Sequence, residues 1–323
     1  MERRKLIIDC DPGVDDAVAL FLAFAARDAL DLLGITTVGG NVAAPLTARN
    51  ARLVREIAGR ADVPVFAGCP RPMSRAPVEA GHFHGESGLG ALTVHEPAAA
   101  AAAEHAVEFL VRTLREAPVG AITLAVTGPM TNVATALTIA PHLAGRLREI
   151  VVMGGARSEG GNITASAEYN IHADPHAAQL VFAAGCPVVA LGLDLTHQVR
   201  SIPRRIEAIR AIGSPAAQAV ASLLEFSSRL PAHAPREHGA PLHDPCTIAW
   251  LLQPQLFELR PCHLEVETGS PLTLGHTAVE FRARPDAPMH VRWGVGADGE
   301  GVFELLRSRL AAAAAAAAAV AVT

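Results

Sequence analysis

Short β-branched runs alternate with helical stretches through the first two hundred residues, and that rhythm admits few folds. The strand candidates are Leu6–Asp9, Leu32–Val38, Pro64–Ala67, Ala121–Thr127, Ile150–Met153 and Pro187–Leu191, with helical candidates Asp15–Arg27, Leu46–Ala58, Ala98–Glu116, Thr131–Ala140 and Pro175–Ala184 between them. Parallel strands need crossovers of about this length, and such crossovers are right-handed. The expected architecture is α/β, a doubly wound, mostly parallel sheet with helices on both faces. After Asp194 the pattern turns mostly helical to about Gln253, and Pro261 to Trp293 reads as short strands with turns. This C-terminal half is expected to form a helical and short-strand cap on the sheet.

Half of the 323 residues are apolar and 18% are charged, so a large core is available. No Pro/Gly/Ser linker, charge run or internal repeat divides the chain, which points to a single domain over residues 1–323 with 311–323 as an Ala-rich tail. With 27 basic against 32 acidic residues and Lys5 as the only lysine, the chain has no polybasic tract for nucleic acid or anionic lipid. The charged start at Met1 to Lys5 lacks the pattern of a signal peptide, and the Leu310 to Val322 run is shorter than the ~20 residues of a spanning helix. A cytoplasmic protein without a membrane partner is expected. Cys10, Cys69, Cys186, Cys246 and Cys262 show no C-x-x-C pair and read as small buried hydrophobes.

In such sheets ligands bind outside the carboxyl ends of the strands, so the residues after each strand carry the functional signal. The first strand runs into Asp9-Cys10-Asp11-Pro12-Gly13-Val14-Asp15-Asp16. Asp15 and Asp16 taken alone are ordinary first-turn acids of a helix. Four carboxylates at one strand end, however, are stabilised only by shared protons or a cation, and an all-oxygen set selects a hard one, calcium or magnesium. Other strand ends contribute Asn41, Thr127 with Asn132, and a Gly-rich loop carrying Asn162, Glu168 and Asn170, side chains suited to sugar hydroxyls. Asp244-Pro245 taken alone is a common helix start. The loop from His82 to Gly88 reads as a glycine-hinged lid, and His197 reads as a structural histidine.

These residues together resemble the nucleoside hydrolases, the purine and pyrimidine ribonucleoside N-ribohydrolases. The similarity is carried by Asp9 through Ala17, Thr36 through Asn41, His82 through Gly88, Thr127 through Asn132, Met153-Gly154-Gly155, Ala167 through Asn170, Asp174-Pro175, Gly192 through His197 and His243 through Cys246. The resemblance implies one calcium ion per subunit, held by Asp11, Asp15, Asp16, Asp244 and the Thr127 carbonyl, with a water and two ribose hydroxyls completing the shell. It also implies Asp11 as the base that takes a proton from water and His243 as the proton donor to the leaving base. Substrate contacts are implied for Asp16, Asn41, His82, Asn162, Glu168, Asn170 and Asp244. A homo-oligomer, dimer or tetramer, acting in nucleoside salvage is implied as well. That inosine-uridine-preferring group often carries tyrosines before the His-Asp pair, whereas Phe226 to Leu242 holds no Tyr or Trp, leaving purine and pyrimidine open.

Two other readings deserve a place beside this one. Asp9-x-Asp11 after a first strand suggests a haloacid-dehalogenase-type phosphatase, but Gly13 stands where that family expects Thr or Val. A non-catalytic nucleoside- or sugar-binding protein would keep the metal pocket, yet has no need of both Asp11 and His243.

Overall fold

The computed structural model describes residues 3–233, 238–283 and 289–321. The chain opens with β1 (Arg4–Cys10), α1 (Val14–Ala25), β2 (Leu30–Thr37), α2 (Ala44–Ile57) and β3 (Val65–Ala67), then α3 (Gly81–His84) and α4 (Ala106–Glu116). There follow β4 (Ile122–Val126), α5 (Thr131–Ile139), β5 (Leu147–Met153), α6 (Tyr169–Ala173), α7 (Pro175–Phe182) and β6 (Val188–Leu191). The remainder holds α8 (Leu193–Thr196), β7 (Arg200–Ser201), α9 (Pro203–Arg210), α10 (Pro215–Ser228), β8 (Ala240–Pro241) and α11 (Pro245–Leu252), then β9 (Phe257–Val266), β10 (Thr277–Glu280), β11 (Val291–Ala297) and α12 (Gly299–Ala321).

The central sheet has nine strands among the described residues, in the order β10-β9-β11-β6-β5-β4-β1-β2-β3. From β11 to β3 every pairing is parallel, and β9 runs antiparallel to both of its neighbours. Alternation along β1 shows why a parallel sheet forms: Leu6, Ile8 and Cys10 enter the core on one face while Ile7 enters the core on the other, all fully buried. A strand apolar on both sides is stable only between two helical layers. One layer contains α1, α2, α9, α10, α11 and α12, and the other contains α4, α5 and α7. Each buried Leu, Ile or Phe contributes about 1.5–3 kcal/mol, so these two cores dominate the stability.

Two expectations need correction. The segment from Pro261 to Trp293 does not cap the sheet; β9, β10 and β11 extend it edgewise, because β6 would otherwise expose a row of unpaired backbone groups that β11 satisfies in parallel register. Outside the central sheet this half supplies helices and a two-stranded antiparallel ribbon of β7 and β8. The predicted helix over Ala98–Glu116 begins at Ala106, since Ala102 bridges to Phe66 and donates its N–H to Val65 O at 2.8 Å. Edge pairing with β3 therefore overrides the helix preference of the alanine tract.

No described helix is long and apolar enough to cross a membrane. All five cysteines are free, four buried and Cys69 half-buried.

Candidate active site

The strand order reverses between β1 and β4, and the chain leaves this pair in opposite directions, opening the crevice where ligands bind in such sheets. The turn after β1 carries the aspartates, and Thr127 follows β4 directly. A cavity of about 350 Å³ lies there, lined by Asp15, Asn41, Thr127, Asn162, Glu168, Asn170, His243 and Asp244 among others.

Asp11 sits at the base of this crevice with no exposed surface. Its Oδ2 accepts the Asn41 backbone N–H at 2.7 Å, while Oδ1 is buried without a partner. Gly40 and Gly128 flank the carboxylate so closely that a Cβ on the first would overlap Oδ2 and one on the second would lie 2.5 Å from Oδ1. Asp16 accepts the Gly13 N–H and the Asn41 amide at 3.0 Å each through Oδ2, and the Thr127 hydroxyl at 2.7 Å through Oδ1. Asp15, Asp16 and Asp244 can each bring an oxygen within 4.8 Å of the others. Asp244 stands at the start of α11 but makes no capping bond, which leaves its carboxyl for the cluster.

Burial, and after it the Asp16 charge, holds the Asp11 carboxyl well above its usual range. Burial and then Asp15 push Asp16 up to about 7, and burial followed by Asp15 and Asp16 raises Asp244 strongly. Asp9 is pushed up to about 6 by burial despite bonds from the Thr36 hydroxyl at 2.5 Å and the Asn132 amide at 2.8 Å, and its Oδ2 also lacks a partner. A site of orphaned carboxylate oxygens, a backbone carbonyl and close acidic neighbours has the donor chemistry for a hard divalent cation. Asp15, Asp16 and Asp244 are the residues whose oxygens lie close enough together to share it, and Asp11, although electrostatically close to Asp16 and Asp15, is not within that group.

The polar wall is partly committed to the scaffold. Glu168 caps α6, accepting the Asn170 N–H at 2.8 Å on Oε1 and the Gly155 and Ile171 N–H groups at 3.0 and 3.2 Å on Oε2. Burial nevertheless pushes it up to about 7. The Asn170 amide donates to Thr127 O at 2.7 Å and Met153 O at 3.2 Å, and Asn162 Oδ1 accepts from Tyr169 N at 2.9 Å. Opposite them lies His243, buried enough that its imidazole is pushed down to about 4, with Nδ1 2.8 Å from Thr196 Oγ1. His197 also lines the cavity and pairs with Glu159 at 2.9 Å.

The sequence reading set His82 of the lid against the substrate, and the structure places its neighbour His84 at the cavity. His84 lines the cavity and its Nδ1 accepts the Val14 N–H at 3.0 Å, whereas His82 is exposed, with its ring 4.4 Å from Phe83. Two residues apart on a helical turn, the pair point to opposite sides, and sequence does not say which side faces in. Phe83 supplies an aromatic ring to the cavity lining. Asn50 was also missed: its amide donates to Pro12 O at 3.0 Å and Ser87 O at 2.8 Å, tying the acidic turn to the lid.

Fold and site define an α/β protein with a polar-lined cavity and an acidic, cation-suited cluster at the switch point of its sheet. The chain belongs to the inosine-uridine preferring nucleoside hydrolase family, whose model matches residues 6–304. It is 43% identical over 310 residues to a pyrimidine-specific ribonucleoside hydrolase of Photobacterium profundum, covering 95% of this chain and 99% of the relative. The solved purine-preferring ribonucleoside hydrolase of Gardnerella vaginalis superposes with a TM-score of 0.90 at 31% identity, covering 96% of this chain and 99% of that one. A plant nucleoside hydrolase gives a TM-score of 0.88 at 30% identity, with 96% and 99% covered.

Proposed function

We propose that this nucleoside hydrolase cleaves the N-glycosidic bond of ribonucleosides with calcium as its cation, preferring pyrimidine bases. The observation that carries the reading is one cavity lined by Asp15 and Asp244, which cluster with Asp16, together with the half-buried imidazole of His243. A bound calcium ion supplies positive charge that acidifies water and anchors sugar hydroxyls.

The protein's own groups do the rest. Asp11, whose Oδ1 has no partner, takes the proton from the attacking water. With a divalent cation held there, four ionised aspartates would outweigh it by two formal charges, and the negative wall would favour the positive charge that develops on the ribosyl ring. Asn162, Glu168 and Asn170 meet the sugar from the opposite wall. His243 presents an N–H to the departing base, and His84, rather than the exposed His82, contacts the substrate from the lid. The higher identity to pyrimidine-specific relatives than to the purine-preferring structure supports the base preference. A cytoplasmic homo-oligomer acting in salvage, folded as one domain, accords with this reading.

Incubation of the protein with uridine, cytidine, inosine and adenosine, with calcium or after chelation, tests it through release of base and ribose. The expected result is calcium-dependent turnover with kcat/KM at least about tenfold higher for the pyrimidines. Full activity after exhaustive chelation removes the cation, and a higher kcat/KM for inosine reverses the base assignment.

A further inference from the structure

His243 can serve the base only if the correct ring nitrogen carries a hydrogen and faces the cavity, and the two nitrogens are distinguished by what the other one touches. We propose that Thr196 is the positioning residue that fixes this choice, holding Nδ1 so that Nε2–H is the group offered to the leaving base. The proposal rests on the reading of His243 as the group that meets the base.

Thr196 ends α8 and is fully buried. Its hydroxyl lies 2.8 Å from His243 Nδ1 and enters no other hydrogen bond among the described residues. A buried hydroxyl places its hydrogen on an acceptor, and here the acceptor is Nδ1. In the neutral ring Thr196 therefore donates to Nδ1, and the ring hydrogen sits on Nε2. The other tautomer would donate from Nδ1 to Oγ1 and leave the hydroxyl hydrogen unpaired in a dry interior. With Nδ1 engaged, Nε2 is the nitrogen left for the cavity that His243 lines.

The neighbouring imidazole does not compete for this role. His197 pairs through Nδ1 with Glu159 at 2.9 Å, and its ring centre is 5.9 Å from that of His243. A hydroxyl also suits the place better than a carboxylate, because it orients the ring without adding charge to a pocket that already holds Asp11, Asp15, Asp16 and Asp244.

The test compares Thr196→Val, Thr196→Ser and His243→Ala in the calcium-loaded enzyme, on uridine and inosine against p-nitrophenyl riboside, whose leaving group needs little help. Thr196→Val is expected to lower kcat on the nucleosides by ~10–10²-fold with KM within about threefold, and to change p-nitrophenyl riboside turnover by less than about threefold. Thr196→Ser is expected to restore nucleoside turnover. Equal losses on both substrate types, no loss on nucleosides, or no rescue by serine overturns the role of Thr196. His243→Ala losing equally on both types overturns the reading of His243 instead, so the two failures are distinguishable. Nitrogen NMR of the wild-type holoenzyme near pH 8 gives an answer even where the valine protein fails to fold: the Nε2–H tautomer of His243 is expected, and Nδ1–H overturns the proposal.

Discussion

At the residue scale the site is organised around Asp11, whose two oxygens have different surroundings. Oδ2 is held by the Asn41 N–H, while Oδ1 is buried with no partner and Gly128 stands beside it. Asp11→Asn keeps the shape but removes the charge and the proton acceptor, and we expect kcat to fall by at least ~10³-fold with the circular dichroism spectrum unchanged. Turnover within tenfold of wild type would take Asp11 out of the mechanism. The sugar provides a second check. If ribose hydroxyls meet the cation and the polar wall, 2′-deoxyuridine leaves those groups unpaired, and its kcat/KM should be at least ~10³-fold below that of uridine, allowing for a replacement water. Comparable values would undo the assignments of Asp16, Asn170 and Asp244 together. The acidic cluster was legible in the sequence because carboxylates crowded into one short run demand a cause wherever the chain goes. Thr196 and Asn50 were not, since each acts on a partner 47 or 38 residues away and neither type is unusual in a helix.

At the element scale, the lid is tied to the acidic turn from two sides, by the Asn50 amide on α2 and by His84 on the N-terminal N–H of α1. Asn50→Leu keeps the bulk but leaves two carbonyls facing an apolar side chain. It should lower unfolding stability by ~1–3 kcal/mol in urea titrations and raise KM more than it lowers kcat. An unchanged KM would mean that the lid does not depend on this tie. The parallel core was readable because strands buried on both faces and joined by long crossovers leave few alternatives. The strands added beyond β6 were not, because a strand such as β11 pairs with whatever open backbone lies beside it, and no local pattern names that partner. The alanine tract failed for a related reason: helix preference amounts to tenths of a kcal/mol per residue, which one bridge to β3 outweighs.

At the scale of the whole molecule, the buried acids make stability depend on pH and on the cation with opposite signs. Asp9, Asp16 and Glu168 are pushed up to about 6, 7 and 7 from ordinary values of 3.8, 3.8 and 4.5, and Asp11 and Asp244 are raised as well. Between those ordinary and raised values the folded protein holds protons that the unfolded chain has released. Stability of the cation-free protein therefore falls as pH rises through the window from about 4 to 7, by ~1.4 kcal/mol per pH unit for each proton retained. Surface carboxylates act oppositely. Asp28, lowered by its bond from Arg309, and Glu56, lowered by that from His95, contribute stability that is lost as pH falls through their own lower values. Calcium competes with protons for the cluster, so its effect should be small near pH 5 and large near pH 8, where saturation at about a hundredfold over Kd adds ~2.7 kcal/mol. Thermal melts of chelated protein should give a Tm that is highest near pH 4–5 and falls as pH rises toward 8, with added calcium raising Tm at pH 8 and barely at pH 5. A chelated Tm that climbs steadily from pH 5 to 8, or a calcium shift equal at both ends, would mean that the aspartates are ionised without help and do not bind the cation as a cluster.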